Sequence, residues 1–401
     1  MTDLENSMAF AGDGALREMI QGTVPAKLEQ EEIQNFSMKF TELVFNNPTD
    51  LVYDELNQQL TKMYNSFEGL FDFAQVPTEL RSRRFINKTG VAISPEHCLH
   101  TIKDVYRMSS FMRAVDNAIA DCKAKFNEKI HIVYPACGPL APLILPLLLH
   151  YKVTQKYTEQ ELEITFIDIQ PGAIMSLTEV VNVGSLQGYV KDICLMDATD
   201  YQKNSRIHMV VLEAMQHGFS REGHLAIAHH FAQILEEDGF FIPESVKVNA
   251  VLVNPQHEFV EQWCEVETAA KSATNEDIIK ERILLGEVLD VNLEFLQNMK
   301  MIEVDQFTKV VSCAHMTLPE LEGTEKVLAF CTEVNVYQGE VLNEYESGIT
   351  HPLPNLDVCI NFIPRDKKPD DLYVNSGDNI GFFYRMNGMP GFLVTKEVKN
   401  D

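Results

Sequence analysis

The sequence predicts an α/β chain built on an open, doubly wound parallel sheet, with a helical segment before it and a β-rich segment after it. Three observations carry this. Between Ile130 and Leu235 short apolar runs alternate with helical patterns, the grammar of a parallel sheet covered on both faces. Ahead of Leu80 the apolar residues fall at helical spacing, and beyond Pro243 they fall in strand-like runs. At 401 residues, 45% hydrophobic and 23% charged, the chain exceeds one hydrophobic core and has ordinary globular composition, so two or three packed domains are expected.

Ile33, Phe36, Phe40, Leu43 and Val44 recur at helical spacing, Asn46-Asn47-Pro48 interrupts, and Leu51 to Met63 restarts a like pattern. Residues 1–80 are therefore expected to form a helical domain whose apolar faces pack against the β-rich part or a second subunit, a homodimer being favoured. Residues 81–242 form the α/β unit. Its strands are HIVYPA, ITFIDI (Ile164 to Ile169), YVKDICLMDA, HMVVLE and GFFIP, and its helices Leu140 to His150, Ala173 to Val181 and Gly223 to Leu235. Residues 243–401 carry the β-rich runs VKVNAVLV, KVLAFCTEVNVY, LDVCINFI and IGFFYRM, with a more helical insertion at about 257–301.

A net charge of -26 argues against gripping nucleic acid, which favours basic stripes, and RSRR at Arg81 to Arg84 is too short to reverse that. The run LAPLILPLLLHY holds two prolines and falls short of the roughly 20 residues a spanning helix needs, so no membrane partner is expected. The eight cysteines are scattered without a CxxC pair, and no secretory leader follows Met1. A reduced, cytoplasmic protein without a metal is the expectation.

In such a sheet ligands sit at the carboxyl ends of the strands near the switch point. Those ends supply Cys137-Gly138-Pro139, Asp168, Asp197 and Glu213 in turn. Ionised carboxylates only accept hydrogen bonds: one after the second strand suits two ribose hydroxyls, and one after the third suits an adenine amine. The ordered set points to an adenosine ligand, although any single Asp at a strand end is more often a helix cap or a solvated turn. The stretch VVLEAMQHGFSRE then delivers Glu213 and Glu222, nine positions apart.

The order of elements and the stretch LEAMQHGFSRE resemble the S-adenosylmethionine-dependent protein arginine methyltransferases, whose fourth strand ends in a loop with two glutamates at this spacing and a methionine matched by Met215. DGFFIP is similar to that family's passage from a Rossmann-like class I methyltransferase domain into a β-barrel-like domain. TIKDVYR places Asp104 and Arg107 as in its first-helix segment, where the arginine meets the cofactor carboxylate. ITHPLP resembles its Thr-His-Trp loop, which implies that His351 pairs with Asp104. Phe85 stands where the family's aromatics cover the cofactor, or is a core residue. The resemblance spans roughly Arg84 to Tyr384 and implies S-adenosylmethionine as cofactor, with Arg107, Gly138, Asp168, Asp197 and Phe85 at its site. The chain departs from the family in its glycine turn, reduced to YPACGPLAP, in Pro352 for the tryptophan, and in Gln216-His217, which lengthens the glutamate loop. Stand-alone enzymes that methylate free arginine are a similar group.

Two carboxylates suit a guanidinium. That group stays protonated and its nitrogens are poor nucleophiles. Glu213 and Glu222 supply charge-assisted bonds to the planar fork, bias one nitrogen and offset its charge, and His351 oriented by Asp104 is a route for the released proton. The expected function is methyl transfer to a guanidino nitrogen of arginine, free or in a small molecule rather than in a protein. Methylation of another small-molecule amine or hydroxyl, and a non-catalytic interaction protein on this fold, are the alternatives. Glu222 also reads as a first-turn residue of the following helix. His217, His224, His229 and His230 lack zinc spacing and read as solvated or core residues, and Cys137 as a packing residue.

Overall fold

The computed structural model describes residues 31–263, 274–321, 326–361 and 368–397. A helix over 31–46, α1, is followed by α2 (Tyr53–Phe73) and α3 (Val105–Lys125). The central sheet comprises β1 (Ile130–Pro135), β2 (Leu162–Asp168), β3 (Val190–Leu195), β4 (Met209–Val211) and β5 (Phe240–Ile242), interleaved with α4 (Leu145–Thr154), α5 (Pro171–Val183) and α6 (His224–Ile234). Its order is β3-β2-β1-β4-β5, every pair parallel. The chain runs outward from β1 to one edge and returns to the other side, so the switch point lies between β1 and β4. All positions of β1 and β4 are buried, which is why they read as unbroken apolar runs.

Asp104 caps α3 by accepting from the Arg107 N–H at 3.0 Å. One side chain of α3 joins all three parts of the chain: Arg113 donates to Val44 O of α1, to Thr49 Oγ1 beyond it, and through Nε to Glu340 of the β-rich part at 2.8 Å.

The β-rich part starts three residues after β5. Its strands are β6 (Ser245–Val253), β7 (Ile283–Asn292), β8 (Met301–Asp305), β9 (Thr308–Thr317), β10 (Val327–Tyr337), β11 (Glu340–Leu342), β12 (Leu353–Asn355), β13 (Val358–Ile360), β14 (Leu372–Val374), β15 (Asn379–Arg385) and β16 (Gly391–Lys396). One antiparallel sheet runs β11-β10-β6-β7 with β12 also on β10, and a second runs β8-β9-β15-β16. They pack through aromatic rings into a barrel-like body: Phe330 of β10 stacks on Phe392 of β16 at 4.6 Å and meets Phe382 of β15 at 6.0 Å. Among the described residues no helix is long and apolar enough to cross a membrane.

Three expectations change. The apolar face of α2 (Leu56, Leu60, Met63, Phe67 and Phe71) is fully buried, and its packing partners are α3 and α5 of the α/β unit rather than the β-rich part. Residues 1–30 of the expected helical domain lie outside the described residues. The expected helical insertion has short helices at Pro255–Phe259, Glu276–Lys280 and Leu293–Asn298, but Ile283–Asn292 between them is a ten-residue strand on β6. Two register shifts in that pairing, with Gly286 at φ 142°, break the alternation that identifies a strand by sequence. Residues 264–273 of this insertion lie outside the described residues. The helix expected from Leu140 begins at Leu145, because Pro146 is tolerated only in a first turn.

Replacing Arg113 with alanine leaves Glu340 unpaired at a junction of three segments. Arg113→Ala is expected to lower unfolding free energy by roughly 2–3 kcal/mol, read from denaturant midpoints at unchanged slope. A loss within a few tenths would show that the junction is held by apolar packing alone.

Candidate functional site

A cavity of about 810 Å³ opens at the carboxyl ends of the central strands, within the range of small-molecule sites. Asp104, Arg107, Gly138, Asp168, Asp197, Glu213 and Glu222 all line it.

On the side of β2, Asp168 accepts from the Gly138 N–H at 2.8 Å and the Gln170 N–H at 2.7 Å. Burial lifts its carboxyl to about 6 against these two bonds. Gly138 has φ 68°, a turn that brings its N–H onto the carboxylate and that a side chain would strain. Asp197 accepts from the N–H and hydroxyl of Thr199, and its second oxygen faces Asn87 at 3.4 Å. The Gln170 amide donates to the carbonyls of Arg83 and Ile93. It thereby pins to the sheet a short hairpin, Phe85–Ile86 against Val91–Ala92, whose Asn87 and Thr89 form part of the cavity wall.

On the side of β4, Glu213 is ion-paired with Arg107 at 2.5 Å, the two side chains 9% and 5% exposed. Arg107 also donates to Thr101 O. The fork of Arg107, expected to meet a cofactor carboxylate, is thus engaged by one of the paired glutamates, and only Nε is buried without a partner. Glu222 faces the same cavity and accepts from the Gln216 amide at 3.0 Å. Burial lifts its carboxyl to about 7 and the charge of Glu213 adds to the lift. Burial raises Glu213 too, against the pull of Arg107. Both carboxyls are thus raised, with burial the first cause in each.

The loop between the glutamates is clamped. Phe219, fully buried, packs on Tyr384 of β15 at 5.3 Å, the Arg221 N–H donates to Pro390 O, and the Arg221 carbonyl accepts from the Val91 N–H, both at 2.8 Å. Phe219 and Arg221 have φ of 50° and 65°, a left-handed pair that non-glycine residues adopt only when surroundings impose it. Glu222 precedes Gly223, the N-cap of α6, so its place at a helix start and its place in the cavity are the same place.

Two expected residues lie outside the cavity lining. Phe85 has the Arg83 guanidinium 4.6 Å over its ring. His351 packs on Tyr345 at 5.5 Å, while Asp104 Oδ2 accepts from Ser347 Oγ at 2.5 Å and the Gly348 N–H at 3.1 Å. Burial lowers the His351 pKa and the charge of Asp104 opposes it. Burial drives the Cys137 and Cys98 thiols well up, with Asp168 adding, which leaves them protonated. His224 is held down to about 3 by burial, and His229 and His230 bond to the carbonyls of Leu296 and Tyr201. Sequence reasoning missed Gln170 and Gln216. Gln216 was visible only as an extra residue in the loop, and nothing in the spacing marked Gln170.

No protein-family model and no curated protein matches the chain. Among solved structures it is similar to the Trypanosoma brucei PRMT1 enzyme-prozyme heterotetrameric complex with AdoHcy, at 10% identity over 76% of this chain and 94% of that one, with a TM-score of 0.43. It is also similar to Arabidopsis thaliana protein arginine methyltransferase 10, at 12% identity over 72% and 87% of the two chains, with a TM-score of 0.42. The chemistry of the site is therefore derived from its own residues.

Glu222 titrates higher in the folded chain than in an unfolded one. The advantage this gives the fold is full below the ordinary carboxylate range and is lost as pH rises through about 7. Glu222→Gln keeps an oxygen for Gln216 but cannot ionise, so it is expected to melt with the wild type at pH 4 and roughly 2–4 °C above it at pH 8. Equal melting temperatures at both pH values would show that Glu222 is solvated.

Proposed function

We propose that this chain transfers the methyl group of S-adenosylmethionine to a guanidino nitrogen of arginine, with free arginine or a small derivative favoured over an arginine within a protein. The observation that carries the reading is the pair of buried glutamates at one cavity, of which Glu213 already holds a guanidinium, that of Arg107. A site that binds this group within the chain has the charge and donor-acceptor match to bind it from outside.

The residues present fit the cofactor. Arg107 Nε is a buried donor without a partner and Gln170 Oε1 a buried acceptor without one, and both residues line the cavity beside Asp168. In this reading Asp168 and Asp197 hold the adenosine, Gly138 lets the backbone approach it, and Arg107 holds the carboxylate end. S-adenosylmethionine supplies, when bound, a methyl group on a positively charged sulfur.

The remaining steps belong to the protein. Glu213 and Glu222 grip the substrate guanidinium and draw its positive charge away from the nitrogen that faces the methyl. The positive charges of Arg107 and the substrate guanidinium are then matched by Glu213 and Glu222, which keeps the excess charge of the closed cavity small. Glu222, with its carboxyl at about 7, is the acceptor poised for the proton that the methylated product sheds. His351, kept neutral by burial beside Asp104, passes that proton to solvent. Phe85, in the hairpin beside the cavity, would be the aromatic to cover the adenosine in this reading. A cytoplasmic homodimer is the expected form of the enzyme, and light scattering reads the assembly directly.

Glu213→Gln and Glu222→Gln are each expected to cut turnover of arginine by about two or more orders of magnitude, equivalent to roughly 3 kcal/mol of transition-state stabilisation, while S-adenosylmethionine still binds. Full activity in Glu222→Gln would remove the paired-carboxylate mechanism. Asp168→Ala is expected to weaken S-adenosylmethionine binding by roughly 1.5–3 kcal/mol without unfolding the chain, read by calorimetry. Unchanged affinity there would move the adenosine elsewhere.

A further inference from the structure

The mouth of the cavity carries charge of the opposite sign to its floor. Arg84 and Arg221 line it, both side chains exposed, and among the described residues neither has a carboxylate partner. Other arginines are engaged: Arg81 with Asp72, Arg113 with Glu340, Arg206 with Glu128 and Arg282 with Glu258. In a chain of net charge -26, two uncommitted guanidinium groups at the entrance of an acidic cavity need a reason. The backbone under both is held in place, so their side chains stay at the entrance.

Arg221 takes the left-handed φ of 65° between the Pro390 carbonyl of the β-rich part and the Val91 N–H of the hairpin. The hairpin presses so closely that a Cβ on Gly90 would stand 2.8 Å from the Arg221 carbonyl oxygen. Arg84 follows Arg83, whose carbonyl is bonded to the Gln170 amide at 2.8 Å. The charges also reach inward: that of Arg84 acts on Glu222 and that of Arg221 on His217, both cavity residues.

We propose that Arg84 and Arg221 form a carboxylate subsite at the cavity mouth, which receives the α-carboxylate of free arginine, or the acid end of a similar guanidino acid, while its guanidinium lies between Glu213 and Glu222. The subsite rests on the reading of the glutamate pair given above. A zwitterionic ligand with a cation at one end and a carboxylate at the other matches a cavity with carboxylates at its floor and arginines at its rim. The same arginines repel a basic protein tail, so the rim selects both for the free amino acid and against the polymer. An arginine inside a peptide has no carboxylate to offer there.

The test compares L-arginine with agmatine, which keeps the guanidinium and lacks the carboxylate, and with a peptide whose single internal arginine is flanked by aspartates. In the wild type kcat/KM for L-arginine should exceed that for agmatine by about tenfold or more, and the ratio should fall toward one in the Arg84→Gln, Arg221→Gln double variant. Arg221→Lys should restore part of it, which a purely structural role of Arg221 would not predict. Calorimetry on the full chain saturated with S-adenosylhomocysteine reads the same preference without turnover. If arginine is preferred in binding but never methylated, the enzymatic reading fails and the subsite stands. If both ligands are methylated with equal kcat/KM, the subsite fails and the enzymatic reading stands. Neither ligand binding, the acidic peptide outcompeting free arginine, or a fall in S-adenosylhomocysteine affinity in the double variant would each overturn the subsite, the last by assigning the arginines to the cofactor.

Discussion

Two carboxylates that share a buried cavity repel one another, and a fold meets that cost with a compensating charge or a retained proton. Here the compensation is the Arg107–Glu213 pair, and much of the architecture exists to place it. The arginine stands in the first turn of α3 because Asp104 caps that helix, and its fork is aimed by the Thr101 carbonyl. Glu213 is delivered by the short, fully buried β4 at the switch point. Glu222, which among the described residues has no such ion pair and only the Gln216 amide as a hydrogen-bond partner, bears the residual cost as a raised proton affinity. The asymmetry is chemically useful. One glutamate stays tied to a charge of its own, and the other is left wanting one.

The glutamate loop is rigid for reasons outside the α/β unit. Phe219 is seated on Tyr384 of β15, and Arg221 is bonded to Pro390 and Val91. The β-rich part and the N-terminal hairpin therefore form two jaws that hold the loop in left-handed backbone states it would not keep alone. Because Gln170 ties the same hairpin to the end of β2, the Asp168 side and the glutamate side of the cavity share one mechanical frame. A shift of the hairpin is felt at both.

Much of this was legible in the sequence, and what was not has physical causes. The central strands β1 and β4 could be read because burial on both faces leaves largely apolar runs, whereas β3 at the edge, VKDICL, is only half-buried; the strand ends of β1, β2 and β4 pointed to Gly138, Asp168 and Glu213. The strand Ile283–Asn292 was hidden because its bulges break the alternation. The packing of α2 could not be read, since an amphipathic face names no partner: Leu60 and Phe67 would look the same against any apolar surface. The roles of Gln170 and Gln216 were invisible because they depend on carbonyl and carboxylate groups brought near by the fold. The engagement of Arg107 was missed for a related reason. A motif shows which residue is near a ligand, but not what holds that residue when the ligand is away.

The long reach of the contacts around the cavity bears on how the protein is made. Asp104 bonds to Ser347 and Gly348, Arg113 to Glu340, and Arg221 to Pro390, so residues from the first and middle thirds of the chain wait for partners from the last. During synthesis the central sheet can form once β5 has emerged, since domains fold as units from the amino end. The glutamate loop then still lacks one of its jaws. The ribosome thus releases a folded central sheet before it releases a closed cavity, and Glu213 and Glu222 stay in contact with water until nearly the last strand arrives.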